Sequence, residues 1–371
     1  MSRVPVLYLA PWVTPGGSDK GTVDWFRTLD RERFELHLIT TNRAEHNTFV
    51  VDIEPYAEAV WNLADLMAEV QFAPFVLDYI ERWRIAVVHI MNSQLGFDLI
   101  PFIKAVHPTV AVVVQQHAEE HDESLYVRYV ATRYGHLLDA YSATSEDLKR
   151  RIVGYGVDPA KVEVIYTGID ASQEWVPEPR ADRDPAEPLR VLYAGRLEDQ
   201  KDPHLLVDIA AELARRQVAV VVDVVGDGSL RVELEARVAT EGLGETVRFR
   251  GVRYDMANWY QQADLLVMTS RFEGIPYVIF EAMAMALPVV VPDVNANAEL
   301  VDPAVGELIR DRSDVAAYAD VLQRFAADST LLRTTGHRAR QLIIERFPLS
   351  TMARAHEALY QRNRAQARTP A

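Results

Sequence analysis

Cysteine is absent from all 371 residues, which removes disulfides and thiolate-bound metal and is compatible with a reducing compartment. Long apolar runs are absent as well: nothing approaches the roughly 20 apolar residues of a membrane-spanning helix. The opening MSRVPVLYLAPWV is short, broken by proline and without a small-residue cleavage site, so it reads as a first buried strand rather than a signal peptide. A cytoplasmic location is the expectation. Positive charge is scarce. Against 54 Asp and Glu stand 39 Lys and Arg, and a net charge of −15 argues against a broad nucleic-acid footprint. No Asp-x-Asp element sits where a metal would bridge a diphosphate, and no His/Asp spacing argues for a metal site. Neither metal nor cofactor is therefore expected.

What remains is 49% hydrophobic and 25% charged, the balance of a soluble globular protein. The length suffices for two domains, each with its own core. Short β-branched runs alternate with helix-period segments. The strand candidates are Val4–Ala10, Glu35–Thr40, Ala86–Ile90, Val110–Gln115, Ala140–Thr144 and Val162–Tyr166, then Arg190–Ala194, Ala219–Val225, Thr246–Arg250, Leu265–Thr269, Pro288–Pro292 and Gly306–Ile309. Such alternation means βαβ units and an α/β fold of two doubly wound, parallel, Rossmann-like sheets. Trp175 to Pro188, WVPEPRADRDPAEP, has the composition of an extended, solvated linker. The expected organisation is a first domain over 1–175, a linker over 176–188, a second domain over 189–347 and a C-terminal helix over 348–371. Domains joined this way are expected to face each other across a cleft at the carboxyl ends of their strands.

The stretch Arg271 to Val291, RFEGIPYVIFEAMAMALPVVV, concentrates the chemistry. Glu273 and Glu281 are eight residues apart around Gly274-Ile275-Pro276, one carboxylate in a loop and one in the following helix. Such a pair can grip a polyhydroxylated ligand. Gly274 permits an unusual backbone angle, Pro276 suits the first helical position, and the helix amides favour phosphate. Hydroxyls on one side and an anion on the other describe a sugar nucleotide. Arg196 and Lys201 follow the strand VLYAG, where cations at a strand's carboxyl end serve a diphosphate without metal. Gly16 and Gly17, after the first strand, offer backbone N–H groups to a phosphate. The first half is acidic, with 15 Lys and Arg against 25 Asp and Glu in residues 1–175. Solubility accounts for this; the sharper reading is a neutral or cationic acceptor.

These segments, in this order, resemble the family-4-type retaining glycosyltransferases of the GT-B fold. The Glu273…Glu281 stretch is similar to the family's Glu-x7-Glu signature. Tyr193-Ala-Gly-Arg-Leu-Glu-Asp-Gln-Lys201, Val225-Gly-Asp-Gly228, Val247-Arg-Phe-Arg-Gly251 and Ala263-Asp-Leu-Leu-Val-Met-Thr-Ser270 resemble its second domain. Pro15-Gly-Gly17 and Ser145 through Gly156-Val-Asp-Pro159 to Thr167-Gly-Ile-Asp170 resemble its first. The resemblance implies that Glu273 binds the transferred sugar near O3 and O4 and that Glu281 binds the ribose. It implies that His117, in preference to His121, stands near the sugar's 6-hydroxyl, and that the tail helix crosses back to the first domain. The donor is then a nucleoside diphosphate sugar carrying a hexose or amino-hexose. The acceptor is a small molecule or glycan, and Glu119, Glu120 and Asp122 are candidates to contact an amine on it. The domains are expected to close around the linker when ligand binds.

Two departures stand out. Ala286 occupies a position where the family usually has glycine before proline. Asn295-Ala-Asn-Ala-Glu299 replaces a Gly-Gly pair, although Asn tolerates left-handed angles. A GT-B nucleotide-sugar 2-epimerase is the alternative enzyme, but it should carry further acid/base carboxylates that do not stand out here. A non-catalytic sugar-nucleotide-binding subunit predicts decay at Arg196, Lys201, Glu273, Glu281 and His117, and all five are intact.

Overall fold

The computed structural model describes residues 3–14, 16–43, 49–117, 126–179, 183–184 and 186–367. The chain divides into two units, Met1–Gly168 with Leu349–Ala371, and Ile169–Pro348.

The first unit holds seven strands: β1 (Val4–Ala10), β2 (Phe34–Thr40), β3 (Ala59–Asn62), β4 (Val87–Met91), β5 (Ala111–Gln116), β6 (Ala140–Ala143) and β7 (Val162–Val164). They form one parallel sheet in the order β3-β2-β1-β4-β5-β6-β7. Helices cover both faces, so the central strands are apolar throughout, and every residue of β4 and β5 is buried. The two-residue period of a strand sorts the side chains. Leu7, Leu9, Val88, Ile90, Val112 and Val114 enter one core with helices Phe72–Arg82, Gln94–Val106, Tyr126–Tyr134 and Glu146–Gly154. Val6, Tyr8, Val87 and Val113 enter the other, with helices Gly17–Thr28 and Leu349–Ala367. Truncating one of these, such as Ile90→Ala, costs about 2–5 kcal/mol.

The edge strand β3 is the one that sequence reading missed. It is short, and none of its residues is fully buried, so AVWN lacks the apolar run that marks its neighbours.

The second unit holds β8 (Leu189–Ala194), β9 (Val220–Val225), β10 (Val247–Gly251), β11 (Leu265–Val267), β12 (Val289–Pro292) and β13 (Gly306–Ile309). These are also parallel, in the order β10-β9-β8-β11-β12-β13. Val191, Tyr193, Val222, Val224, Leu265 and Val267 pack with helices Pro203–Arg215, Arg231–Thr240 and Val315–Ala327. Helix Tyr277–Ala284 packs on β11 and β12 and beside helix Ser329–Arg346. Both sheets are doubly wound, as the alternation of elements predicts.

The chain passes between the units after Gly168 and after Pro348. A Cβ at Gly168 would lie 2.7 Å from Leu349 Cα, so only glycine fits beside the start of the tail helix. Ile169 is already tied to the second unit: its N–H donates to Phe347 O at 3.0 Å, and it bridges Pro348. The division thus falls earlier than residue 175, and residues 176–188, read from composition as linker, group with the second unit. Trp175 meets Tyr260 edge-on at 5.8 Å. Gln261 exchanges hydrogen bonds with the Glu178 main chain (3.1 and 3.3 Å), contacts that no composition reveals. No helix among the described residues is long and apolar enough to cross a membrane.

Candidate active site

In the second sheet the strand order reverses between β8 and β11, and loops leaving the carboxyl ends at such a reversal form the usual ligand crevice of an open parallel sheet. Here those loops are Gly195–Lys201 and Thr269–Pro276. The first is compressed against the loop after β9. Gly226 has φ +141°, and a Cβ there would stand 1.9 Å from Gly195 O, so the Gly-Asp-Gly segment shapes this turn by close backbone approach. Leu197 N–H donates to Asp227 O at 2.9 Å.

Lys201 ends a short 3-10 turn, Asp199–Lys201. Its methylenes lie 3.8 Å from where a Gly195 Cβ would be, and its ammonium forms an ion pair with Glu273 Oε1. Glu273 is 6% exposed, so this pair is held largely away from water, where its Coulomb attraction is stronger than at the surface. Asn295 Oδ1 accepts from Glu273 N at 3.1 Å. Asn295 itself has φ 48°, the left-handed conformation that the missing glycine pair put in question. Gly274, by contrast, is not among the left-handed residues, so the conformational freedom expected of it goes unused. Ile275 and Pro276 are buried. Pro276 is the N-cap, extended at φ −75° and ψ 125°, one residue before the position expected for it.

Arg196 is exposed and donates to Gln200 Oε1 at 2.8 Å. Gln200 stitches the two loops together. Its side-chain amide donates to Phe272 O at 3.3 Å, and its main-chain carbonyl accepts from Arg271 N at 2.8 Å. Asp202 draws in Arg312 Nη1 at 2.8 Å and Arg271 Nε at 3.3 Å. Glu281 is buried and accepts from the Tyr260 hydroxyl at 2.8 Å. Burial, followed by the Glu281 charge, pushes that phenol well above its ordinary range, so it stays a donor. Lys201 and Glu273 are therefore in contact, Arg196 joins the same loops through Gln200, and Glu281 lies in the helix that follows.

In the first unit Gly16 and Gly17 follow β1 and open helix Gly17–Thr28. Asp19 braces the entry, accepting from Thr14 N at 2.8 Å and Thr14 Oγ1 at 2.9 Å. A Cβ at Gly16 would meet nothing within 4 Å, leaving that backbone accessible. His117 follows β5. Its Nε2 lies 3.3 Å from Gln115 Nε2 and 3.4 Å from Met91 Sδ, and Thr144 Oγ1 donates to its carbonyl at 3.0 Å. Burial lowers the imidazole to about 4, so it is neutral at pH 7.

Behind it, Trp25 Nε1 donates to the Tyr360 hydroxyl at 3.1 Å, and that hydroxyl is hydrogen-bonded to His89 Nδ1. His356 donates from Nδ1 to Met352 O at 3.1 Å, with Nε2 3.2 Å from Gln115 Oε1. Glu119, Glu120 and Asp122 lie outside the described residues, as does His121. Among the described residues no group of three or more His, Asp and Glu side chains could hold a metal ion.

Sequence reasoning passed over Thr269, Asp202, Tyr260 and the Asn295 side chain. Thr269 sits inside a quoted motif but looks like strand, and the rest carry no spacing signal.

Known proteins resemble this chain in sequence and fold. A family model described as Glycosyltransferase Family 4 matches residues 15–173, and one described as Glycosyl transferases group 1 matches residues 188–328. The D-inositol 3-phosphate glycosyltransferase of Streptomyces bingchenggensis is 28% identical over 296 residues, 76% of this chain and 62% of that protein. The alpha-D-kanosaminyltransferase of Streptomyces kanamyceticus is 29% identical over 162 residues, 43% of this chain and 42% of that protein. The matched region spans less than two thirds of either relative. The HepE protein of Anabaena, solved with UDP, superimposes with a TM-score of 0.80 at 21% identity, over 97% of this chain and 100% of that one. At that identity the likeness is one of fold.

Proposed function

Because the chain belongs to the family-4-type glycosyltransferases of the GT-B fold, we propose that it moves a hexose or amino-hexose from a nucleoside diphosphate sugar to an acceptor hydroxyl with retention of configuration. The observation that carries this reading is the Lys201–Glu273 ion pair at the strand-order reversal of the second sheet. A cation for a departing diphosphate and a carboxylate for sugar hydroxyls stand there within one contact of each other. UDP bound to the HepE protein and the amino-sugar name of the kanosaminyl relative support the same class of donor.

The step runs by front-face exchange. The bond from the sugar's anomeric carbon to the diphosphate oxygen breaks, and its electron pair leaves with the phosphate. Arg196, Lys201 and the opening amides of helix Tyr277–Ala284 stabilise the growing charge. The acceptor oxygen bonds to the same face of the anomeric carbon, and its proton passes to the departing phosphate oxygen. Glu273 holds sugar hydroxyls, and Glu281, oriented by Tyr260, holds the ribose. His117, being neutral, hydrogen-bonds the sugar without adding charge. The acceptor is assigned to the first unit, a small aminated molecule being preferred for its acidic sequence.

A thermal-shift panel of UDP, GDP, ADP and TDP and their sugar conjugates, with and without Mg²⁺, tests this first. One nucleotide should raise Tm selectively, equally well in chelator. No shift with any of them would remove the donor site. Anomer-resolved NMR of the product then tests retention, and an inverted product would end the front-face mechanism.

A further inference from the structure

Lys201 is aimed by a turn that the chain holds against its own preference. Asp202, the next residue, sits at φ 44° and ψ 56°. That is the left-handed region, which strains an L-residue even though Asp enters it more readily than most. Such strain persists only where the surroundings over-determine it.

The surroundings here include two buried hydroxyls. Thr269, fully buried just past β11, stands 2.8 Å from Lys201 O and 2.9 Å from Asp202 O. Tyr193, near the end of β8, donates to Lys201 O at 3.2 Å. Two hydroxyl protons meet two main-chain carbonyls, so both carbonyls are satisfied when Tyr193 serves Lys201 and Thr269 serves Asp202. The side chain of Asp202 is engaged separately, by Arg312 and Arg271. Leu205 N–H also donates to Asp202 O at 3.2 Å, from the first turn of the following helix, so what Thr269 adds is the bond that ties the turn to the loop after β11.

We propose that Thr269 is a positioning residue for Lys201: its hydroxyl locks the left-handed turn from the neighbouring strand, so that the lysine lies over Gly195 with its ammonium at Glu273. This rests on reading Lys201 as the partner of the diphosphate. Loss of the hydroxyl leaves Lys201 O to Tyr193 and Asp202 O to Leu205 N–H, and cuts the bond from Thr269 that holds the turn to the neighbouring loop, which favours relaxation of the turn. Lys201 then leaves the place where charge develops.

The test uses the full chain and whichever of UDP, GDP, ADP or TDP raises the wild-type Tm most. Dissociation constants are measured by calorimetry for Thr269→Val, Thr269→Ser, Lys201→Ala and the double variant Lys201→Ala/Thr269→Val. Valine keeps the shape and charge and loses the hydroxyl; serine keeps the hydroxyl. Thr269→Val should weaken binding about tenfold, and Thr269→Ser should stay within about threefold of wild type.

The double variant should bind as Lys201→Ala does, because a residue acting through Lys201 has nothing left to position. Wild-type affinity in Thr269→Val, or losses that multiply in the double variant, would overturn the proposal. So would a Thr269→Val protein whose weaker binding merely follows a smaller folded fraction. If Lys201→Ala itself binds as wild type, or no nucleotide binds at all, the donor-site reading falls instead.

Discussion

The two sheets end in different chemistry. Past the strands of the second unit, charge is concentrated and paired: Lys201 with Glu273, and Asp202 with Arg271 and Arg312. Behind His117 in the first unit lies a group of neutral polar side chains: Tyr360 is hydrogen-bonded to His89, His356 lies 3.2 Å from Gln115, and burial holds both imidazoles uncharged. Yet the first half is the more acidic. Residues 1–175 carry 15 cations against 25 anions, while the remainder carries 39 − 15 = 24 against 54 − 25 = 29. A domain's net charge therefore says little about the charge its interior arranges.

The contrast can be broken most sharply at the ion pair. Glu273→Gln or Lys201→Ala should each lower transfer by about 10³-fold, roughly 4 kcal/mol of transition-state stabilisation, with the fold retained. Near-normal turnover in either would show that the charged end of the second sheet is ornamental. Glu273→Gln should also tighten binding of the nucleoside diphosphate, since the lysine no longer has a competing carboxylate.

Arg340 differs from these pairs, a cation whose bonds go to carbonyls. It donates to Ala171 O and Trp175 O, each at 2.8 Å, and to Ala284 O at the end of the helix that carries Glu281. Arg340→Met should cost roughly 3 kcal/mol in urea denaturation by orphaning these acceptors. A cost near zero would mean that water replaces the guanidinium without loss.

Acid should act first on the first unit. The His356 imidazole is lowered to about 4 by burial, against an ordinary 6.5, so the unfolded chain binds more protons between those values. The contribution to stability is complete above about pH 6.5 and is lost as pH falls toward 4, about 2 kcal/mol between pH 7 and pH 5. Hydrogen exchange should rise in β4, β5 and helix Leu349–Ala367 at pH 5 while β8 and β11 stay protected. Equal exposure of both sheets would count against this, and His356→Gln should flatten the pH slope.

Ala286 should give the smallest effect. It holds φ 59° without glycine, so Ala286→Gly should stabilise the chain by about 1 kcal/mol in the same urea experiment, and a loss of stability would contradict the assigned strain.

Much of the architecture is legible because buried parallel strands advertise themselves: AVVVQQ and VVVDVV could hardly be anything else between helical segments. β3 was not legible, because half-exposed AVWN lacks that run. In the candidate site the charged residues could be named from their place after strands, but not what supports them. Thr269 reads as one more strand residue until its hydroxyl is seen between two carbonyls. Asn295 could be judged tolerant of its backbone angle from its chemistry, whereas its hold on Glu273 N required coordinates. Ala286 shows the opposite case, where the family pattern has glycine and the chain holds the left-handed angle without it.

The tail helix has a consequence for synthesis. Leu349, Met352, Leu359 and Tyr360 fill one core of a sheet whose other residues lie before Gly168. On the ribosome that sheet must wait, with one apolar face covered only in part by helix Gly17–Thr28, while residues 169–348 are translated and can fold as a complete body. The part made first is thus finished last, and the interval before the helix arrives is when a nascent chain would most need a chaperone.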